Sequence, residues 1–155
     1  MRMNGAHQHL LLNHIPVFTT AFGLLALLWA LSRKSKDMLW AAVVLFVVAG
    51  ISAWLASETG ESAEKIVEHL PGVTKALIHE HEEAAEAANV SAALLAVGSL
   101  ILIAIDRFRA QFLKPMQILL LMIALVSTAL MARAAYLGGQ ISHSEIRGES
   151  PLEAK

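Results

Sequence analysis

Between Glu86 and Asp106 runs Ala87 to Ile105, AANVSAALLAVGSLILIAI: 19 residues without a single Asp, Glu, Lys or Arg. A helix crossing a membrane needs ~20 predominantly apolar residues, because the hydrocarbon core is ~30 Å thick and each residue rises ~1.5 Å. The same pattern recurs three times, over Met3–Ser32 (30 residues), Met38–Ser57 (20) and Pro115–Ala132 (18). A lone strand in lipid leaves its hydrogen bonds unmade, so each run predicts a helix. The expectation is an all-α, up-down bundle of four transmembrane helices in a single domain over 1–155. The helices are placed at about 9–32, 37–57, 74–105 and 112–139.

The rest of the composition agrees. The 155 residues are 56% hydrophobic and 16% charged, against roughly 25% charged in a soluble domain. A net charge of −1 without basic runs argues against nucleic acid as a partner. With no cysteine there are no disulfides, thiolate zinc sites, iron–sulfur clusters or covalently attached haem. No Gly-x-Ser-x-Gly elbow, P-loop or His-Glu-x-x-His is present, which leaves hydrolysis without a motif and enzymatic activity undecided.

Charge fixes the expected orientation. The first connection carries Arg33, Lys34 and Lys36, and the third Arg107, Arg109 and Lys114, each against one Asp. The second, Glu58 to Glu86, carries two Lys against eight Glu. By the positive-inside rule the basic connections face the cytoplasm, and both termini and the acidic segment lie outside. The first run is too long for a signal peptide and ends in a basic stop, so it is read as an uncleaved helix. Within the acidic segment, residues 61–70 form an amphipathic helical stretch closed by Pro71-Gly72. All seven histidines then fall on the extracytoplasmic side.

That segregation makes the outer face the candidate site. An up-down bundle brings His14, Glu58, His79, His81, Glu82, Glu86 and His143 to one depth. His79 shares a helix face with Glu82 and Glu83, and Glu82 with Glu86. Imidazoles with carboxylates are the mixed donors preferred by zinc, iron, manganese or copper. The competing reading is a solvated acidic cap stabilised by the helix dipole. His79 and His81, two residues apart, point about 200° apart on a helix and do not readily share an ion. His7 and His9 are read as tail residues.

Arg133 lies inside the fourth helix, where an intramembrane arginine implies a partner; Glu86, Glu83 and Glu58 are the candidates. If such a pair is buried, Arg133→Leu destabilises the bundle. Its surroundings are small: Ala84, Ala85, Ala87, Ala88, Ser91, Ala92 and Ala93, then Ala132, Ala134, Ala135, Gly138 and Gly139. Small residues permit close helix approach or leave room for a flat cofactor. Pro16 suits the start of the first helix and aims His14 across the mouth. Gly138-Gly139 is expected to end the fourth helix, so that His143 folds back. A b-type haem would then be ligated by His14 and His143, with Arg133 or Arg147 on a propionate, against the repulsion of the outer glutamates.

Asn13-His14-Ile15-Pro16-Val17 at the opening of the first helix resembles the His-x-Pro signature of an uncharacterised bacterial four-helix membrane family, domain of unknown function number 2231. Tyr136-Leu137-Gly138-Gly139-Gln140-Ile141-Ser142-His143 resembles its closing Gly-Gly signature. The resemblance covers nearly the whole chain, including Glu58-Thr59-Gly60-Glu61 and His81-Glu82. It implies a bacterial plasma (inner) membrane and, because some relatives are joined to c-type cytochrome modules, a redox setting.

The expected function is a small membrane protein holding a metal centre at its extracytoplasmic face, with haem b ahead of a His/carboxylate ion and serving electron transfer. The alternatives are a non-redox transition-metal handling protein and a structural or assembly subunit without cofactor. Partners in view are the lipid bilayer, a redox or membrane-complex partner, or a second copy. A conduit is disfavoured, because Leu24–Leu31, Leu39–Val48, Leu95–Ile105 and Pro115–Val126 offer almost no polar groups.

Overall fold

A computed structural model describes residues 4–147. Arg2 and Met3, with the last eight residues of the expected domain, lie outside the described residues. The elements are α1 (Gly5–Leu12), α2 (His14–Arg33), α3 (Lys36–Val67), α4 (Lys75–Phe108) and α5 (Leu113–Ser142). Single 3-10 turns follow at Ala110–Phe112 and Ser144–Ile146. No strand occurs among the described residues. Four helices, counting α1 and α2 as one span over Gly5–Arg33, are long and apolar enough to cross a membrane. This is a multi-pass membrane protein.

Local chemistry sets the boundaries. The side chains of Asn4, Ser35 and Thr74 accept from the main-chain N–H of His7, Met38 and Leu77, capping α1, α3 and α4. Lys34 takes the left-handed conformation (φ 52°) that turns the chain from α2 into α3. Pro16 has no N–H for the Leu12 carbonyl, and its ring crowds that oxygen. The helix therefore breaks at Asn13, separating α1 from α2.

Two expectations are corrected. The acidic stretch is helical over 61–67 only, and there it is the last part of α3, which runs unbroken to Val67; residues 68–70 already turn. Gly60 alone costs about 1 kcal/mol in a helix, and Ala63, buried, holds the extension in place. Gly5 of α1 closes against Ser62 on the same extension. Nor do Gly138 and Gly139 end α5, which continues to Ser142. Both glycines are spent on close contacts, with the His81 ring and with Ile146 respectively. His143 consequently does not fold back.

Each of α2 to α5 packs on its neighbour in the chain, and α5 closes the ring on α2. Two packing layers fill it. Toward the basic connections, Leu27, Phe46, Leu95, Leu102 and Leu120 are fully buried. Toward the acidic end the core is made of Ala53, Ala84, Ala88, Ala92, Met131, Ala134 and Leu137. Lipid offers helices no hydrophobic drive to associate, so small residues that let backbones meet hold this half together. At Gly50 an added Cβ would stand 2.7 Å from Ala96 Cβ. Large apolar side chains such as Phe18, Phe22, Trp54, Leu94 and Met122 cover the outside, as a lipid-facing surface requires.

Candidate functional site

Depth at the acidic end follows from one cross-helix bond. Ser91 Oγ on α4 donates to Ser127 Oγ on α5 at 3.1 Å. Because the two helices are antiparallel, moving five residues outward on α4 and six on α5 brings Glu86 level with Arg133. Glu86 closes the charge-free run of α4, and Arg133 closes that of α5. Arg133 therefore stands at the edge of the apolar slab and not in its middle. It is exposed, and no carboxylate lies within 4.0 Å among the described residues. The buried pair with Glu86, Glu83 or Glu58 is not formed. Arg133→Leu is accordingly expected to leave bundle stability within about 0.5 kcal/mol of wild type, as for an ordinary surface change, measured by unfolding in mixed micelles. A larger loss would restore the buried pair.

Most of the expected ligands face outward. His14 is exposed, donates from Nδ1 to the Leu10 carbonyl (3.2 Å) and stacks on Phe18 (ring centroids 6.5 Å apart). His79 is exposed and pairs with Glu83 at 3.4 Å. His143, also exposed, donates to Glu145 at 2.9 Å. The Glu145 carboxyl lies below the usual carboxylate range, first because its own main-chain N–H donates to it and then because His143 does. Glu58, Glu82 and Glu86 are exposed; Glu82 lines a small cleft with Glu64, Glu68, Lys75 and Ile78. Arg147 donates to the Pro71 carbonyl at 3.4 Å. Among the described residues no three His, Asp or Glu side chains converge on a common point as metal ligands.

Two histidines do turn inward. His81, half-buried, donates from Nδ1 to the Ala134 carbonyl of α5 at 3.1 Å and rests against Gly138. His9, also half-buried, donates from Nδ1 to the Ala56 carbonyl of α3 at 2.9 Å, with Thr59 Oγ1 at 3.2 Å. His9 stands on α1 and His81 on α4, both at the acidic end of the bundle. One turn from His9, Asn13 Oδ1 is buried without a donor, and so is Thr20 Oγ1 deeper on the same face.

No family model, no curated protein and no solved structure matches this chain.

The site must accordingly be judged on its own chemistry. His9 was readable from spacing: His9, Asn13, Pro16, Thr20, Gly23 and Leu27 recur at helical intervals on one face, and Pro16, Thr20, Gly23 and Leu27 are buried. His14 belongs to the opposite, lipid-facing ridge with Phe18, Phe22 and Leu25. A single ion suits two tethered imidazoles, and the buried Asn13 Oδ1 lacks a donor that a hydrated cation brings. A macrocycle does not fit. The small residues that might have flanked it (Ala84, Ala88, Ala92, Ala134) are buried in helix contacts, and the His81 ring itself occupies the space over Gly138. Neither the groove along Glu86, Val90 and Leu130 nor the cleft around Glu64 and Glu82 contains His9 or His81.

Proposed function

We propose that the protein binds one transition-metal ion at the acidic end of its bundle, through Nε2 of His9 and of His81. The observation that carries this reading is the tethering of both rings. Each commits its Nδ1–H to a main-chain carbonyl on a neighbouring helix and leaves the Nε2 lone pair free. Histidines that ligate metals almost always hold their second nitrogen in this way. Ala56 and Ala134 sit within α3 and α5, where the helix's own ladder already serves their carbonyls. The imidazoles are therefore not there to repair orphan acceptors, which belong to helix ends.

Imidazole nitrogen suits zinc, copper, iron or nickel. Bound copper or iron would supply one-electron chemistry, and an electron-transfer role would follow; bound zinc would make the protein a metal handler. The basic residues Arg33, Lys34, Lys36, Arg107, Arg109 and Lys114 favour the cytoplasm for the opposite end. On that orientation both termini and the ion lie outside a bacterial plasma membrane, as the resemblance carried by His14-x-Pro16 and Gly138-Gly139 also suggests. Leu27, Phe46, Leu95, Leu102 and Leu120 fill the basic half with fully buried apolar side chains, which argues for an ion that is held and not conducted. The lack of a third protein ligand among the described residues favours the second reading, a structural or assembly subunit.

Titration of the metal-stripped protein in mild detergent with zinc or copper separates the two. The proposal expects saturation at a single ion per chain. Binding should weaken at least about tenfold in His9→Ala and in His81→Ala, and stay unchanged in His14→Ala and His143→Ala. No saturable binding by the wild type, or equal loss in His14→Ala, overturns it.

A further inference from the structure

On the lipid-facing side of α4 and α5, away from His9 and His81, a groove of about 520 Å³ is lined by Glu83, Glu86, Ala87, Val90, Ser91, Leu94 and Leu130. It is shallow and open toward the lipid, so an occupant would lie along it and not inside it. Its chemistry changes along its length. Two carboxylates stand at its acidic end, and below them the walls are apolar or small. Glu83 is engaged by His79. Glu86 forms no ion pair among the described residues. Arg133 follows Leu130 by one turn on the same side of α5 and is level with Glu86 by the Ser91–Ser127 register. A carboxylate that lines the groove and a guanidinium one turn beyond its lining thus stand at one depth, with no ion pair between them among the described residues.

A guanidinium at the edge of the apolar slab costs free energy unless an anion meets it, and its planar fork matches phosphate. A carboxylate at the same depth calls for a cation that can donate hydrogen bonds. One amphiphile of the surrounding bilayer carries both groups, joined by two carbons, above an acyl chain. We propose that this groove is a binding site for a phosphoethanolamine phospholipid. Its phosphate accepts from Arg133, its primary ammonium donates to Glu86, and one acyl chain lies along Ala87, Val90, Leu94 and Leu130. A phosphocholine lipid offers the same phosphate, but its quaternary nitrogen has no N–H to donate. A phosphoglycerol lipid offers Glu86 no cation and adds an uncompensated negative charge.

The test uses the full chain in mild detergent, with phosphoethanolamine, phosphocholine and phosphoglycerol lipids of identical acyl chains. Bound lipid is read by native mass spectrometry. The ethanolamine lipid should be retained up to about fivefold over the choline lipid, as an exposed ion pair allows, with the glycerol lipid weakest. Glu86→Gln should erase the ethanolamine-over-choline preference, and Arg133→Leu should weaken both lipids together. Zinc or copper binding should be the same in both variants, which separates this site from the histidine pair. Equal retention of the three lipids, preference for the glycerol lipid, or an ethanolamine preference that survives Glu86→Gln overturns the proposal.

Discussion

Gly138→Val is expected to lower affinity for the ion proposed at His9 and His81 by about 10–100-fold without removing any ligand, the range typical of groups that orient a metal-bound histidine. Gly138 lies on α5 directly under the His81 ring. A Cβ built there stands 3.0 Å from Cε1 and 3.4 Å from Nδ1, and valine adds two methyl groups beyond it. The ring must then leave α5, which breaks its 3.1 Å bond to the Ala134 carbonyl and turns Nε2 away. Helix stability does not suffer in compensation, because valine has a higher helix propensity than glycine. The check is a zinc or copper titration beside a melting curve on the same preparation. Unaltered affinity with an altered melting temperature would mean that the contact serves packing alone.

Phe46→Ala should do the reverse, destabilising the bundle by about 3 kcal/mol while ion affinity stays the same. Phe46 is fully buried, and its ring lies against Gly23, where an added Cβ would come within 2.5 Å of Cε1. In a bilayer the separated helices are already out of water. The loss is therefore mainly of dispersion contacts and of a filled volume, not of transfer free energy. Its neighbours Leu27, Val43, Leu95 and Leu120 belong to the basic half, far along the axis from His9 and His81. Unfolding in mixed micelles gives the free energy; a loss below about 1 kcal/mol would mean that the leucines close over the cavity.

The four spans were legible because hydropathy and charge act locally: a run such as Ala87–Ile105 needs no knowledge of its neighbours. Helix starts at Ser35 and Thr74 are equally local, since one side chain and one N–H decide them. What escaped depends on direction around a helix or on a second helix. His14 carries the motif, yet it shares a face with Phe18 and Phe22, while His9 shares one with Pro16, Thr20 and Leu27. The helical period would have separated them. Arg133 reads as intramembrane in one dimension; only the Ser91–Ser127 bond between α4 and α5 sets it level with Glu86, at the slab's edge. The small residues were ambiguous in one dimension. Only the neighbouring helices decide that Ala84, Ala88 and Ala134 are contact surfaces and not the walls of a slot.

The break at Asn13 gives α1 a thermodynamic life of its own. The helix is eight residues long and has no buried residue, far short of the ~12–15 residues at which an isolated helix becomes even marginal in water. What docks it on α3 is the contact of Gly5 with Ser62 and the bond from His9 to Ala56. α1 is then the first segment to open, with main-chain amides that exchange sooner than those of α3 or α5. The ion proposed for His9 and His81 would fasten this segment to α4 like a clasp. By linkage, occupancy and docking become one equilibrium: whatever loosens α1 lowers the affinity, and whatever fills the site slows amide exchange along Gly5–Leu12.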